Sequence, residues 1–219
     1  MKIIVAPDSF KGSITSIQAA NAIEKGINKA ALAYKKNIEV IKVPMADGGE
    51  GTVEAIVSAN GGKIIKTQVL DPLGRKIDSF FGILPDNTAV IEMAAASGLN
   101  LLSEKERDPM KTTTYGTGQL IKEALDMGCK NIIIGIGGSA TNDGGVGMAQ
   151  ALGARFIDKN DNELKFGGGC LNLLEKIDIS NLDNRIKSTN FIIASDVTNP
   201  LCGPEGASAV YGPQKGATR

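Results

Sequence analysis

Four short segments rich in acids, hydroxyls and glycine each follow an apolar run, which is where open α/β sheets gather their ligands. The first, Pro7–Ser13 (PDSFKGS), sets Lys11 and Ser13 before a helix start, where a cation, a hydroxyl and unpaired N–H groups can hold an anion. Asp8 can orient a hydroxyl or hold a metal, although a plain strand–helix turn capped by Ser13 or Thr15 fits the same residues. In Val43–Thr52 (VPMADGGEGT), Gly48 and Gly49 bend the backbone between Asp47 and Glu50. Two carboxylates around such a bend suit substrate or Mg²⁺ work better than the helix start they could also serve. The third segment, Gly135–Gly147 (GIGGSATNDGGVG), suits polyphosphate, with backbone N–H groups cradling oxygens. In the fourth, Ser195–Pro204 (SDVTNPLCGP), Asp196 is a candidate general base or metal ligand, or else only the start of an Asx turn.

Several chemistries are closed to this chain. It has no histidine, so a Ser-His-Asp triad and a His-ligated metal are excluded, and any general base is Asp, Glu, Lys, Tyr or Cys. Cys129, Cys170 and Cys202 form no CxxC pair and read as buried or semi-buried thiols. No GxxxxGK[ST] sequence occurs, so this is not a Walker kinase. Gly135, Gly137 and Ala140 do fit the dinucleotide pattern G-x-G-x-x-G/A, with Asp158 at a suitable distance. A NAD(P)-dependent dehydrogenase of a small hydroxy acid would then need a parallel strand ending at Asp158, yet Lys159–Asn162 (KNDN) reads as a hairpin turn. Lys and Arg total 24 and so do Asp and Glu, a balance that does not recruit nucleic acid or an anionic membrane. No apolar run approaches the ~20 residues of a membrane span, and Met1–Ala6 is stopped by Pro7 and Asp8, unlike a signal peptide. The expectation is a cytoplasmic protein.

The elements that must hold these segments follow from periodicity. Lys2–Ala6 and Ile38–Pro44 read as strands, and Thr15 with Gln18 forms a capping box before a helix through Ile17, Ala20, Ile23, Ile27 and Ala31. A second helix through Val53, Ile56 and Val57 closes at Gly61–Gly62. Lys63–Leu70, Lys76–Leu84 and Thr88–Met93 then form an antiparallel meander with turns at Asp71–Gly74 and Pro85–Asn87. A helix over Thr117–Met127, strands at Asn131–Ile136 and Asn190–Ser195, and a hairpin of Arg155–Asp158 with Glu163–Phe166 complete the layout. Arg107–Leu125 (RDPMKTTTYGTGQLIKEAL) sets a hydroxyl cluster before a helix, a further candidate for chemistry that by itself fits a capped helix with a solvated turn better. The expected division is an amino-terminal βαβα part over residues 1–66 and a mixed-sheet α/β lobe over 67–219. Two parallel strands with two helices leave a sheet short of cover, and a unit of about 65 residues built so is marginal. Gln214–Arg219 has no helix stop and reads as a chain cut in mid-course.

In order, APDSFKGS, PMADGGEGT, DPLGR, EMAAASGL, YGTGQLI, GIGGSATNDGGVG, ASDVTNPLCGPEGA and YGPQKGA resemble the bacterial glycerate kinases that have no Walker motif. The resemblance implies transfer of the ATP γ-phosphate to D-glycerate, at the 2-hydroxyl in preference to the 3-hydroxyl, with Mg²⁺ and two α/β lobes flanking the site. It also implies further chain past PQKGA that completes the first lobe, so turnover by these 219 residues alone is left open beside a non-catalytic nucleotide-binding module. On this resemblance Gly137, Gly138, Ser139, Thr141, Asn142, Asp143 and Gly144 embrace the nucleotide phosphates. Asp8, Ser9, Lys11, Gly48, Gly49 and Glu50 bind substrate, Asp196 takes the hydroxyl proton, Lys11 neutralises charge, and Asp47 and Asp196 hold Mg²⁺ and can exchange roles. A homodimer is compatible with all of this.

Overall fold

The computed structural model describes residues 1–10 and 13–218; Lys11, assigned above to substrate, lies outside the described residues. Strands β1 (Lys2–Val5) and β2 (Glu39–Lys42) pair in parallel, with Lys2 opposite Glu39. Between them runs helix α1 (Ser16–Ala33), whose Thr15 and Gln18 make the expected reciprocal cap: the Gln18 N–H donates to Thr15 Oγ1 at 3.2 Å and the Thr15 N–H to Gln18 Oε1 at 2.9 Å. Ala19, Ala20 and Val5 are buried on one side of this unit. The other face is bare, with Ile4 69% and Ile41 37% exposed, as a two-stranded parallel sheet with helix cover on one side must be.

Helix α2 (Thr52–Asn60) ends at Gly61 in the left-handed conformation, φ 75°. The meander follows as expected: β3 (Lys63–Leu70), β4 (Lys76–Ile83) and β5 (Thr88–Glu92) pair antiparallel in turn. The buried Asp71 carboxylate shapes the β3–β4 turn by accepting the N–H groups of Leu73 at 2.8 Å and Arg75 at 2.9 Å. Beyond β5 the sheet turns parallel, adding β6 (Asn131–Gly135) and β9 (Asn190–Ala194) in the order β3-β4-β5-β6-β9. Helix α4 (Tyr115–Asp126) lies across this sheet, and Phe81, Ile91, Leu120, Ile121 and Ile132 are fully buried between them. Short helices α3 (Ala94–Ser97), α5 (Val146–Ala151) and α6 (Ala207–Tyr211) sit in the connections. The fold class is α/β with a parallel pair and a mixed sheet. Among the described residues, no helix is long and apolar enough to cross a membrane.

Residue 66 falls inside β3, and α2 on its amino side packs Val53 and Val57 against Val90, Phe80 and Leu84 of the mixed sheet. The Lys159–Asn162 turn is real, with Asp158 Oδ1 accepting the N–H groups of Asn160 and Asn162, but Glu163–Phe166 supplies only a bridge, Glu163 opposite Ile157. The strand partner of β7 (Arg155–Ile157) is β8 (Lys176–Asp178), antiparallel and invisible to a local reading. An antiparallel β7 removes the parallel strand that a dinucleotide site requires at Asp158, and the dehydrogenase reading falls with it.

Helices α4 and α5 touch through Gly118, where an added Cβ would collide with the Met148 carbonyl oxygen and lie 2.7 Å from Ala151 Cβ. Glycine to alanine inside a helix normally gains up to about 1 kcal/mol. Here a rigid backbone carbonyl is the obstacle, so Gly118→Ala is expected to cost about 1–3 kcal/mol net, read as a lower urea midpoint. A raised midpoint would mean that the helices separate freely.

Candidate active site

Parallel strands start their outgoing loops at a common edge. Glu92, Gly135 and Ala194, the last residues of β5, β6 and β9, stand in register across that edge. The Asp47–Gly51 bend rests directly on it. The Gly137 N–H donates to the Gly48 carbonyl at 3.0 Å, and a Cβ on Gly48 (φ 87°) would lie 2.9 Å from the Ala194 carbonyl oxygen. A Cβ on Gly135 would strike the Gly48 carbonyl. These glycines are therefore required by backbone meeting backbone as well as by access for a ligand.

Asp47 lies half-buried beside this contact, its Oδ1 accepting the Gly49 N–H at 3.0 Å, while Glu50 is exposed. Asp196 is exposed two residues past Ala194. The Asp8–Ser9 segment runs alongside the approach to Asp47, because the Pro7 carbonyl accepts the Met45 N–H at 2.9 Å. Asp8 holds its own turn, its Oδ1 accepting the Ser9 N–H at 2.6 Å. The edge thus brings together the bends that start at Asp47, Gly137 and Asp196.

The loop 137–145 is stitched down along its length. Ser97 O accepts the Ala140 N–H at 2.8 Å, Gly138 O accepts the Leu99 N–H at 2.9 Å, and Thr112 Oγ1 donates to Ala140 O at 2.9 Å. Asp143 points inward: Oδ2 accepts the Thr114 N–H and hydroxyl, both at 2.8 Å, and the Gly147 N–H at 3.2 Å, while Oδ1 accepts the Gly145 N–H at 3.1 Å. Its carboxylate organises the loop from within. Thr112–Thr114 corrects the expectation of a solvated turn, since all three are buried, Thr114 bonding Asp143 and Thr112 the Ala140 carbonyl. Asn142 Nδ2 donates to Ser208 Oγ at 3.0 Å, tying the loop to α6.

Beside the loop opens a cavity of about 520 Å³. Ile121, Ile134, Met148, Leu152 and Phe191 form its apolar wall, and Ser139, Thr141 and Gly144 its polar rim. An apolar slot bordered by a few polar groups is the usual form of a small-molecule site. Among the described residues, no three His, Cys, Asp or Glu side chains cluster to hold a metal ion by themselves.

Two buried ionisable groups escaped the sequence reading. Lys215 sits in the 3-10 turn Pro213–Lys215 with 9% exposure, and its Nζ donates to Ser139 Oγ and Thr141 O, both at 2.7 Å. Burial lowers its pKa, against an upward pull from Asp143. It lies within the YGPQKGA segment, but its partner Ser139 lies 76 residues away. Glu92, 2% exposed, ends an apolar strand, and its Oε2 accepts the Val53 N–H at 3.1 Å at the amino end of α2. Burial pushes its carboxyl up to about 7, with the charges of Glu54 and Glu50 acting in the same direction.

The model of the glycerate kinase family matches residues 3–219. This chain belongs to the glycerate kinase family. Glycerate kinase of Haemophilus influenzae is 54% identical over 219 residues, all of this chain and 57% of that relative. Glycerate 2-kinase of Escherichia coli is 55% identical, again over all of this chain and 56% of the relative. A crystal structure of a Salmonella typhimurium LT2 protein assigned as glycerate kinase 2 superposes with TM-score 0.87 at 54% identity, covering 100% of this chain and 57% of that one. The chain thus spans little more than half the length of the curated relatives it matches.

Glu92 gives this family member a measurable pH signature. Between its ordinary value of 4.5 and about 7 the folded chain keeps a proton that the unfolded chain has lost. Stability therefore falls as pH rises through that window, by about 3 kcal/mol if the whole shift is expressed. Glu106 and Asp183, both held near 2, act with the opposite sign and only below their ordinary values. Glu92→Gln is expected to flatten the fall in melting temperature between pH 4.5 and pH 7, measured by calorimetry. An unchanged slope would assign the titration to another group.

Proposed function

We propose that this chain carries the nucleotide and acceptor sites of an ATP-dependent kinase that transfers the γ-phosphate to D-glycerate, at the 2-hydroxyl in preference to the 3-hydroxyl. The observation that carries the reading is the meeting of three bends at one sheet edge, those of Asp47, Gly137 and Asp196, next to the cavity with an apolar wall and a hydroxyl and glycine rim. Membership of the glycerate kinase family supports it, as do the relatives named for that activity.

In this reading the adenine lies against Ile121, Ile134, Met148 and Phe191, and the phosphates run over Gly137, Gly138, Ser139, Thr141, Asn142 and Gly144. Asp143 shapes that run from behind through its four hydrogen bonds. Glycerate occupies the edge near Asp8, Ser9, Gly48, Gly49 and Glu50, with Lys11 contributing positive charge. Asp196 accepts the proton of the attacking hydroxyl and Asp47 orients it; the pair can also act with these roles exchanged. Phosphoryl transfer asks for positioning and charge neutralisation more than covalent chemistry, so the lack of histidine is no obstacle. A hard cation at such a site takes one or two carboxylates and completes its shell with phosphate oxygens and water, a donor set that Asp47 and Asp196 fit. Bound Mg²⁺ would supply neutralisation of the phosphate charge. We place the reaction in the cytoplasm, where ATP and small organic acids are both at hand.

A coupled assay for ADP release dependent on D-glycerate tests the reading, with phosphorus NMR identifying which hydroxyl is modified. ATP binding without glycerate-dependent turnover would reduce the chain to a nucleotide-binding module. In the active protein, Asp196→Asn is expected to lower kcat about 10²–10⁴-fold. Near-normal turnover in that variant would remove Asp196 as base and transfer the role to Asp47, whose Asp47→Asn variant is measured alongside.

A further inference from the structure

Lys215 is a buried ammonium whose direct partners are neutral. Its turn is locked in place, because Gly216 (φ 94°) packs so closely on Arg107 that an added Cβ would collide with the Arg107 carbonyl. The Nζ therefore reaches a fixed point, 2.7 Å from Ser139 Oγ and 2.7 Å from Thr141 O. An ammonium carries three N–H donors, and these two acceptors account for two. Both are neutral. Among the described residues, no carboxylate lies within ion-pair distance of Lys215. Asp143, the acid whose charge acts on it, has its oxygens taken up by Thr114, Gly145 and Gly147.

A charge taken out of water needs an opposite charge or a full set of hydrogen bonds, and Lys215 has neither. Ser139 and Thr141, the residues that hold it, line the rim of the cavity. An anion bound at that rim would lie within reach of the ammonium. We propose that Lys215 binds the phosphate chain of the nucleotide, its third N–H meeting a phosphate oxygen where the loop 137–145 cradles it. The inference rests on the kinase reading for the identity of the anion, and on the cavity and the unpaired ammonium for its existence. The bland alternative is a staple, in which Lys215 only fastens the carboxyl-terminal turn to the loop.

Calorimetric titration of the chain with adenosine, AMP, ADP and ATP separates these. Lys215→Met removes both charge and donor, whereas Lys215→Gln keeps an N–H donor for the loop and loses only the charge. In both variants ATP and ADP binding is expected to weaken about 10- to 100-fold, the range for a hydrogen bond to a charged group. Adenosine binding should stay within about twofold, because it has no phosphate for the charge to meet. If wild type binds the series but Lys215→Gln matches it, or both variants weaken adenosine and ATP alike, Lys215 is a staple and the inference is overturned while the kinase reading stands. If wild type binds none of the four, the kinase reading itself is overturned, and the nucleotide contact with it.

Discussion

The Gly48 carbonyl accepts the Gly137 N–H at 3.0 Å between two glycines, which have no side chains to keep their segments apart. Through that contact the Asp47 bend sits on the carboxyl edge of β6 and β9 instead of hanging from its own small sheet. A methyl group on Gly135 would strike the Gly48 carbonyl and one on Gly48 would press on the Ala194 carbonyl, so either would lift the Asp47 bend off the edge. The three parallel strands fix the edge, the glycines let a second backbone reach it, and α2 is held to the same sheet by Val53 and Val57.

Burial of charge organises the remainder. Asp143 accepts four hydrogen bonds and shapes the loop from within. Asp71 does the same at the β3–β4 turn. Glu92 is less well supplied, and burial outweighs its backbone donors, which is why its carboxyl rises to about 7. Lys215 receives two neutral acceptors. A gradient thus runs from fully satisfied acids behind the loop to an under-satisfied cation at its rim, the arrangement expected where scaffold gives way to a ligand site.

Much of the fold was legible because it is local. The Thr15–Gln18 cap lies within three residues, β3 and β4 are joined by a short turn, and Gly61 and Gly128 mark helix ends by their positive φ. The β7–β8 pairing was not, since Lys176–Asp178 lies beyond a loop that a nearby hairpin signal obscured. The burial of Thr112 and Thr114 was not legible, because a hydroxyl looks solvated until a distant Ala140 carbonyl or Asp143 carboxylate is brought to it.

Residue types and their spacing alone determined which chemistry was open: no histidine, a long glycine loop for oxygens, and acids beside bends, in an order that resembles one kinase family. Tertiary structure alone decided that the Asp47 and Asp196 bends share an edge, that Asp143 faces inward, and that Lys215 reaches Ser139 across 76 residues. The physical reason is range. Caps, turns and periodicity act over a few residues and are written into adjacent letters, whereas desolvation and the pairing of buried charges depend on which distant segments exclude water together.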